Sequence, residues 1–116
     1  MIESTAQNLR RLAGQPVAAL LGPCIHPQAY EFGSVELDRL AQVYGTEVIG
    51  QTADGQPGLD MTAGVTQALT RCQFLDDVAD RTLDTSHNVC TSGEEWFSHR
   101  SRGDKGRQAT VAWIDR

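Results

Sequence analysis

Residues 16–27 read Pro-Val-Ala-Ala-Leu-Leu-Gly-Pro-Cys-Ile-His-Pro. The apolar run Val17 to Leu21 is closed by Pro16 on one side and by Gly22-Pro23 on the other. A short apolar run between breakers predicts a strand buried on both faces. Gly22 to Pro27 then reads as a loop. Beyond it, Ser34 is a candidate N-cap for a helix with Leu37, Leu40, Ala41 and Tyr44 at helical spacing. Strand, loop and helix in succession predict an α/β or α+β chain, a mixed sheet with helices.

The flanks extend this pattern. Ile2 to Leu12 places Ile2, Ala6, Leu9 and Ala13 on one helical face, and Gly14 and Pro16 end it. Glu47 to Gln51 reads as a short strand. Thr52 to Gly58 reads as a turn, through Asp54-Gly55 and Pro57-Gly58. Asp60 is placed to cap a helix that runs through Val65, Ala68 and Leu69 to Cys72. Val78 to Leu83 reads as a further strand. Trp96–Arg102 and Arg107–Ile114 read as two arms of a hairpin around Gly103-Asp104-Lys105-Gly106. The second arm is apolar on both faces from Ala109 to Ile114, which predicts a central strand.

With 116 residues, the chain is one domain's worth and can bury a core. Apolar residues at 40% against 22% charged fit a folded, soluble chain rather than a disordered one. A net charge of −5 argues against nucleic acid or an anionic membrane as partner, since phosphate binding needs clustered cations. No apolar leader is visible and no run is long enough to span a bilayer. Three cysteines, Cys24, Cys72 and Cys90, without regular spacing suggest no disulfide framework, hence a reducing, cytoplasmic compartment.

Several residues have the chemistry for a site. Arg100, Arg102, Lys105 and Arg107 cluster around two glycines. An arginine fork donates two hydrogen bonds to one anion, and backbone N–H groups of a Gly-rich turn add to it. If that stretch is a strand, Arg100 and Arg102 share a face. A solvated turn is the plainer reading of the charges alone. The Gly22-Pro23-Cys24-Ile25 loop follows a strand, where binding walls are often built. It also offers a Cys24/His26 pair, although a rigid turn with a small thiol explains it as well. Cys24, His26, His87 and Cys90 have the ligand types for a zinc site, but the spacing is not a usual one. Cys90-Thr91 fits a strand end. His99 has the chemistry of a general base without a visible nucleophile. Trp96, Phe97 and Trp113 offer stacking surfaces, with Trp113 better placed in the core. Asp76, Asp77 and Asp80 read as a solvated turn.

Four stretches in order resemble one family. They are Leu21-Gly22-Pro23-Cys24-Ile25 with Tyr30-Glu31-Phe32-Gly33, then Gly58-Leu59-Asp60, then Cys90-Thr91. The fourth is Trp96-Phe97-Ser98-His99-Arg100 with Gly103, Gly106, Arg107 and Ala109. Together they resemble the C-terminal half of the YfiH/YlmD-type laccase-domain proteins. The chain departs from the pattern at His26, at Gln28 and Ala29, and at Arg100-Ser101-Arg102.

The resemblance implies a multi-layered α/β fold related to cytotoxic necrotizing factor. It implies phosphorolysis of purine nucleosides (adenosine, inosine, guanosine, methylthioadenosine) and deamination of adenosine; an older family reading is polyphenol oxidase. It implies zinc, or copper in the older reading, held by two His and one Cys in motifs that precede the matched stretches. No residue here matches those ligands, so the resemblance assigns no metal ligand and no catalytic residue within the chain. It nominates Arg100, Arg102, Arg107, Cys90, Thr91, Gly22, Pro23 and Ile25 on the substrate or phosphate side. The expectation is a single truncated domain over residues 1–116, inactive alone, with open edges that favour a homo-oligomer. The alternative is a non-catalytic remnant acting as a binding or self-associating module.

Overall fold

The computed structural model describes residues 1–13, 21–72, 95–107 and 109, without the side chains of Arg10 and Ala13. Its elements in chain order are α1 (Ile2–Ala13), a 3-10 turn (Pro27–Ala29) and α2 (Ser34–Tyr44). A second 3-10 turn (Thr46–Val48), β1 (Ile49–Gln51), β2 (Pro57–Leu59), α3 (Met61–Arg71) and α4 (His99–Arg102) follow. Helices with an antiparallel strand pair give the mixed α/β class that the alternation of patterns predicts. The readings at Val17–Leu21 (but for Leu21), at Val78–Leu83 and over most of Arg107–Ile114 lie outside the described residues.

The core is built where α2 crosses the hairpin. Leu37, Val48 and Leu59 are buried together, with Tyr30, Phe32, Leu40, Ala41 and Tyr44 packed around them. Val48, at 1% exposure, is the centre of this cluster. The predicted strand from Glu47 is shorter than its sequence pattern. Thr46 to Val48 turn as a 3-10 helix, so that Val48 points into the core and its carbonyl accepts the Asp60 N–H. Asp60 caps α3 as predicted: its Oδ1 accepts from the Ala63 N–H at 2.8 Å. Such a cap is worth about 1 kcal/mol. α3 buries Ala68 and Leu69, with Cys72 just past its end, and α1 packs against α3 through the buried Ala6.

Two expectations are corrected here. Ser34 is the first helical residue of α2, and Gly33 holds the N-cap position with extended backbone. Pro57-Gly58, read as the end of a turn, is instead the start of β2, in register with Gln51 and Gly50. Pro57 lacks an N–H, but its carbonyl accepts from Phe32 N–H at 3.0 Å. Glu31 forms a bridge with Gly58, and Leu59 N–H donates to Tyr30 at 3.0 Å. The Tyr30–Phe32 segment therefore lies along β2 on the side away from β1. That contact, invisible to local propensity, turns a Pro-Gly pair into strand. The true turn is Thr52–Gln56, closed by Thr52 N–H to Gln56 O at 2.9 Å and by Gln56 N–H to Thr52 Oγ1 at 3.0 Å.

Candidate functional site

The predicted first arm of a C-terminal hairpin is a capped helical turn. Ser98, buried in an extended conformation, accepts from the Ser101 N–H through its Oγ. Gly103 closes the turn in the left-handed region at φ 68°, its N–H donating to His99 O at 2.8 Å. Serine at an N-cap and glycine beyond the last turn are helix punctuation. The spacing Ser98 to Gly103 carried that signal, and the basic residues between them masked it.

The helical turn separates the arginines. Residues two apart on a helix do not share a face, so Arg100 and Arg102 diverge. Arg100 reaches back across the chain. Its Nη2 donates to Glu31 O at 2.7 Å, and its guanidinium carbon lies 4.5 Å from the centre of the Tyr30 ring. Arg102 stays local. Its Nη2 lies 2.8 Å from Asp104 Oδ2, its Nε donates to the same oxygen, and it donates to the Trp96 carbonyl. Arg107 Nη1 donates to the carbonyls of Asp104, Lys105 and Gly106. Gly106 lies directly against Phe97, whose ring occupies the space a Cβ would need.

Asp104 ties this turn together. Its Oδ2 accepts from Ser98 N–H at 2.8 Å. That bond, and then the Arg102 guanidinium and His99, hold its carboxyl below the usual carboxylate range against the opposing effect of desolvation. A group whose pKa is depressed on folding adds stability above its unfolded value, near 3.9, and that contribution is lost as pH falls through the folded value. The turn is therefore expected to hold its geometry at neutral pH and to loosen below about pH 4. Asp104→Asn should remove this acid transition from the Ser98 amide shift. An unchanged transition in the variant would assign it to another group.

The other nominated residues are less gathered. Gly22, Pro23 and Ile25 lie in the segment before the first 3-10 turn and are half-buried. Within it Cys24 Sγ lies 3.2 Å from Thr62 Oγ1 on α3, so a hydroxyl faces the thiol. Cys90 and Thr91, with His87, Asp76, Asp77, Asp80 and Trp113, lie outside the described residues. The first and fourth of the family-like stretches do meet, through Arg100 on the Tyr30–Glu31 segment, which continues from the Gly-Pro loop. Tyr30 was not among the residues nominated from sequence. Only its place in the quoted Tyr-Glu-Phe-Gly stretch pointed to it. A cleft of about 270 Å³ between α1, α2 and α3 is lined by Leu40, Tyr44, Val48, Leu59 and Val65 among others, and by none of the nominated residues.

Residues 1–115 match a family model described as multi-copper polyphenol oxidoreductase laccase. The chain belongs to this laccase family. Among curated relatives, it is 31% identical over 100 residues to a purine nucleoside phosphorylase of Mycobacterium tuberculosis, covering 85% of this chain and 37% of the relative. The same figures hold for its Mycobacterium bovis counterpart. A purine nucleoside phosphorylase of Corynebacterium glutamicum is 28% identical over 117 residues, covering 98% of this chain and 44% of the relative. The chain thus spans roughly two-fifths of the length of these relatives. No solved structure matches.

The laccase family is described by its copper, which sets a test for the residues present. Among the described residues no three His, Cys, Asp or Glu side chains gather closely enough to hold a metal ion. Cys24 faces a threonine, and Asp60 and Asp104 are engaged with backbone N–H groups. The described residues do not fit a metal centre. Among the described residues, too, no helix is long and apolar enough to cross a membrane.

Proposed function

We propose that residues 1–116 form the substrate-side part of a purine nucleoside phosphorylase of the laccase family, a single domain in a reducing cytoplasm. The observation that carries this reading is the 31% identity to phosphorylases over 85% of the chain. In phosphorolysis a phosphate oxygen bonds to C1′ of the nucleoside as the bond from C1′ to the purine nitrogen breaks. The base leaves with the electron pair and takes up a proton. Such a reaction needs the dianion held in line beside the sugar, a task suited to an arginine fork. Arg100 takes that role in this reading, with Gly22, Pro23, Ile25, Cys90 and Thr91 as neighbouring wall. Arg102 and Arg107 shape the turn that carries it.

In the same reading, a zinc ion and the residues that hold it belong to sequence beyond these 116 residues, in a multi-layered fold completed by it. A metal held there would supply activation of a water, the chemistry that adenosine deamination needs. The 116 residues alone are inactive and pair with a second copy through exposed edges. The test is base release from inosine and adenosine with phosphate. The chain is assayed alone and fused behind the portion of the M. tuberculosis relative that it does not cover. Phosphate-dependent base release is expected from the fusion and not from the chain. Turnover by the isolated chain would overturn its inactivity, and a folded fusion without turnover would overturn the phosphorylase reading.

A further inference from the structure

We propose that Tyr30 is a positioning residue: its ring fixes the Arg100 guanidinium as a fork for a phosphate-class oxyanion. This rests on the reading of Arg100 as a substrate-side residue. An exposed arginine samples many rotamers, and ordering it on a ligand costs conformational entropy. Here the cost is met before any ligand arrives. The guanidinium carbon sits 4.5 Å from the Tyr30 ring centre, and Nη2 donates to Glu31 O at 2.7 Å. A planar, weakly hydrated guanidinium is the cation best suited to such a stack. Of its five N–H donors, the Glu31 carbonyl takes one. Among the described residues the other donors meet no further acceptor, and they are left for a ligand.

The platform is itself held. Tyr30 N–H donates to Pro27 O at 3.1 Å, and Tyr30 O accepts from Leu59 N–H at 3.0 Å. The ring meets Phe32 edge-on, with centroids 5.7 Å apart at 78°. Both rings pack on the Leu37, Val48 and Leu59 core. The position of the Arg100 fork is thus set by a ring anchored in the core as well as by the turn that carries it. Arg102 and Arg107 differ in kind, because both donate to acceptors of their own turn.

The test follows the Arg100 Nε–H resonance of the 15N-labelled 116-residue chain during titration with inorganic phosphate, with chloride at matched ionic strength as control. Saturation by phosphate is expected, with the ring-current shift of the Arg100 δ protons kept at saturation. Tyr30→Phe keeps the aromatic face and should titrate like the unsubstituted chain. Tyr30→Leu should raise the half-saturating concentration about threefold to fivefold, the size of an exposed cation–π contact. Equal titration of Tyr30→Leu and the unsubstituted chain overturns the proposal, as does a response that chloride reproduces or that never saturates. If Tyr30→Leu does not fold, the unsubstituted chain decides: loss of the ring-current shift on saturation means the anion pulls Arg100 off the ring. These outcomes are separate from the phosphorylase reading. A fusion that turns over without an Arg100 response keeps that reading and sinks this one, and a response in the chain with a dead fusion does the reverse.

Discussion

Leu37→Ala is expected to lower stability by about 3 kcal/mol, within the 2–5 kcal/mol range of core leucine truncations. Leu37 is buried against Val48 and Leu59, the meeting point of α2, the second 3-10 turn and β2. The cavity left cannot close easily, because each neighbour is pinned by backbone bonds: Val48 O to Asp60 N–H, and Leu59 N–H to Tyr30 O. In a chain this short a loss of that size is a large part of total stability. Urea denaturation followed by tryptophan fluorescence measures it. Val35→Ala, on another face of α2 and 58% exposed, serves as the control and should stay within about 0.5 kcal/mol. Similar losses in the two variants would place the core elsewhere than under α2.

Gly58→Ala is expected to cost about 2–3 kcal/mol, the upper part of the roughly 1–3 kcal/mol range for an overpacked site. Its backbone is extended, so the cause is space rather than dihedral strain. An added Cβ would lie 2.7 Å from Pro27 O, 3.1 Å from Gln51 C and 3.2 Å from Thr52 N. All three are backbone atoms, which cannot rotate aside as a side chain would. The 3-10 turn at Pro27–Ala29 sits directly on the hairpin there, and Gly50 gives the same clearance to the Pro27 ring. Gly64→Ala is the contrasting case. Its Cβ would meet Val48 Cγ1 at an ordinary 3.5 Å inside α3. There the gain in helix propensity, about 1 kcal/mol, should dominate and give the opposite sign. Thermal unfolding of the two variants side by side tests the pair. A Gly58→Ala chain as stable as the parent would mean that Pro27 does not pack on β2.

The same contrast separates what the sequence carried from what it could not. α1 and α3 were legible because the signals of a helix are local: apolar residues at three- and four-residue spacing, and at α3 a capping Asp60 that binds its own third neighbour. The Ser98 cap and Gly103 stop were equally local, yet the alternating basic residues favoured a hairpin reading that α4 overturns. The mixed α/β class followed from the alternation of such elements, and family membership from four short stretches in fixed order.

β2 was not legible. Pro57 and Gly58 have turn chemistry, and they are strand only because residues 49–51 and 30–32 bond to them from both sides. Arg100 was nominated by its charge and its place in the Ser-His-Arg stretch. Its partners were not, because Glu31 lies 69 residues upstream and a contact that distant leaves no periodicity to read. Nor does charge say which arginine is presented. Three arginines in the stretch are equivalent as sequence, and the turn at Ser98–Gly103 sends Arg102 and Arg107 to neighbouring acceptors while delivering Arg100 to an aromatic ring anchored in the core. Sequence supplied the donor, and the tertiary fold supplied its orientation, since only the packing of distant segments fixes a guanidinium plane in space.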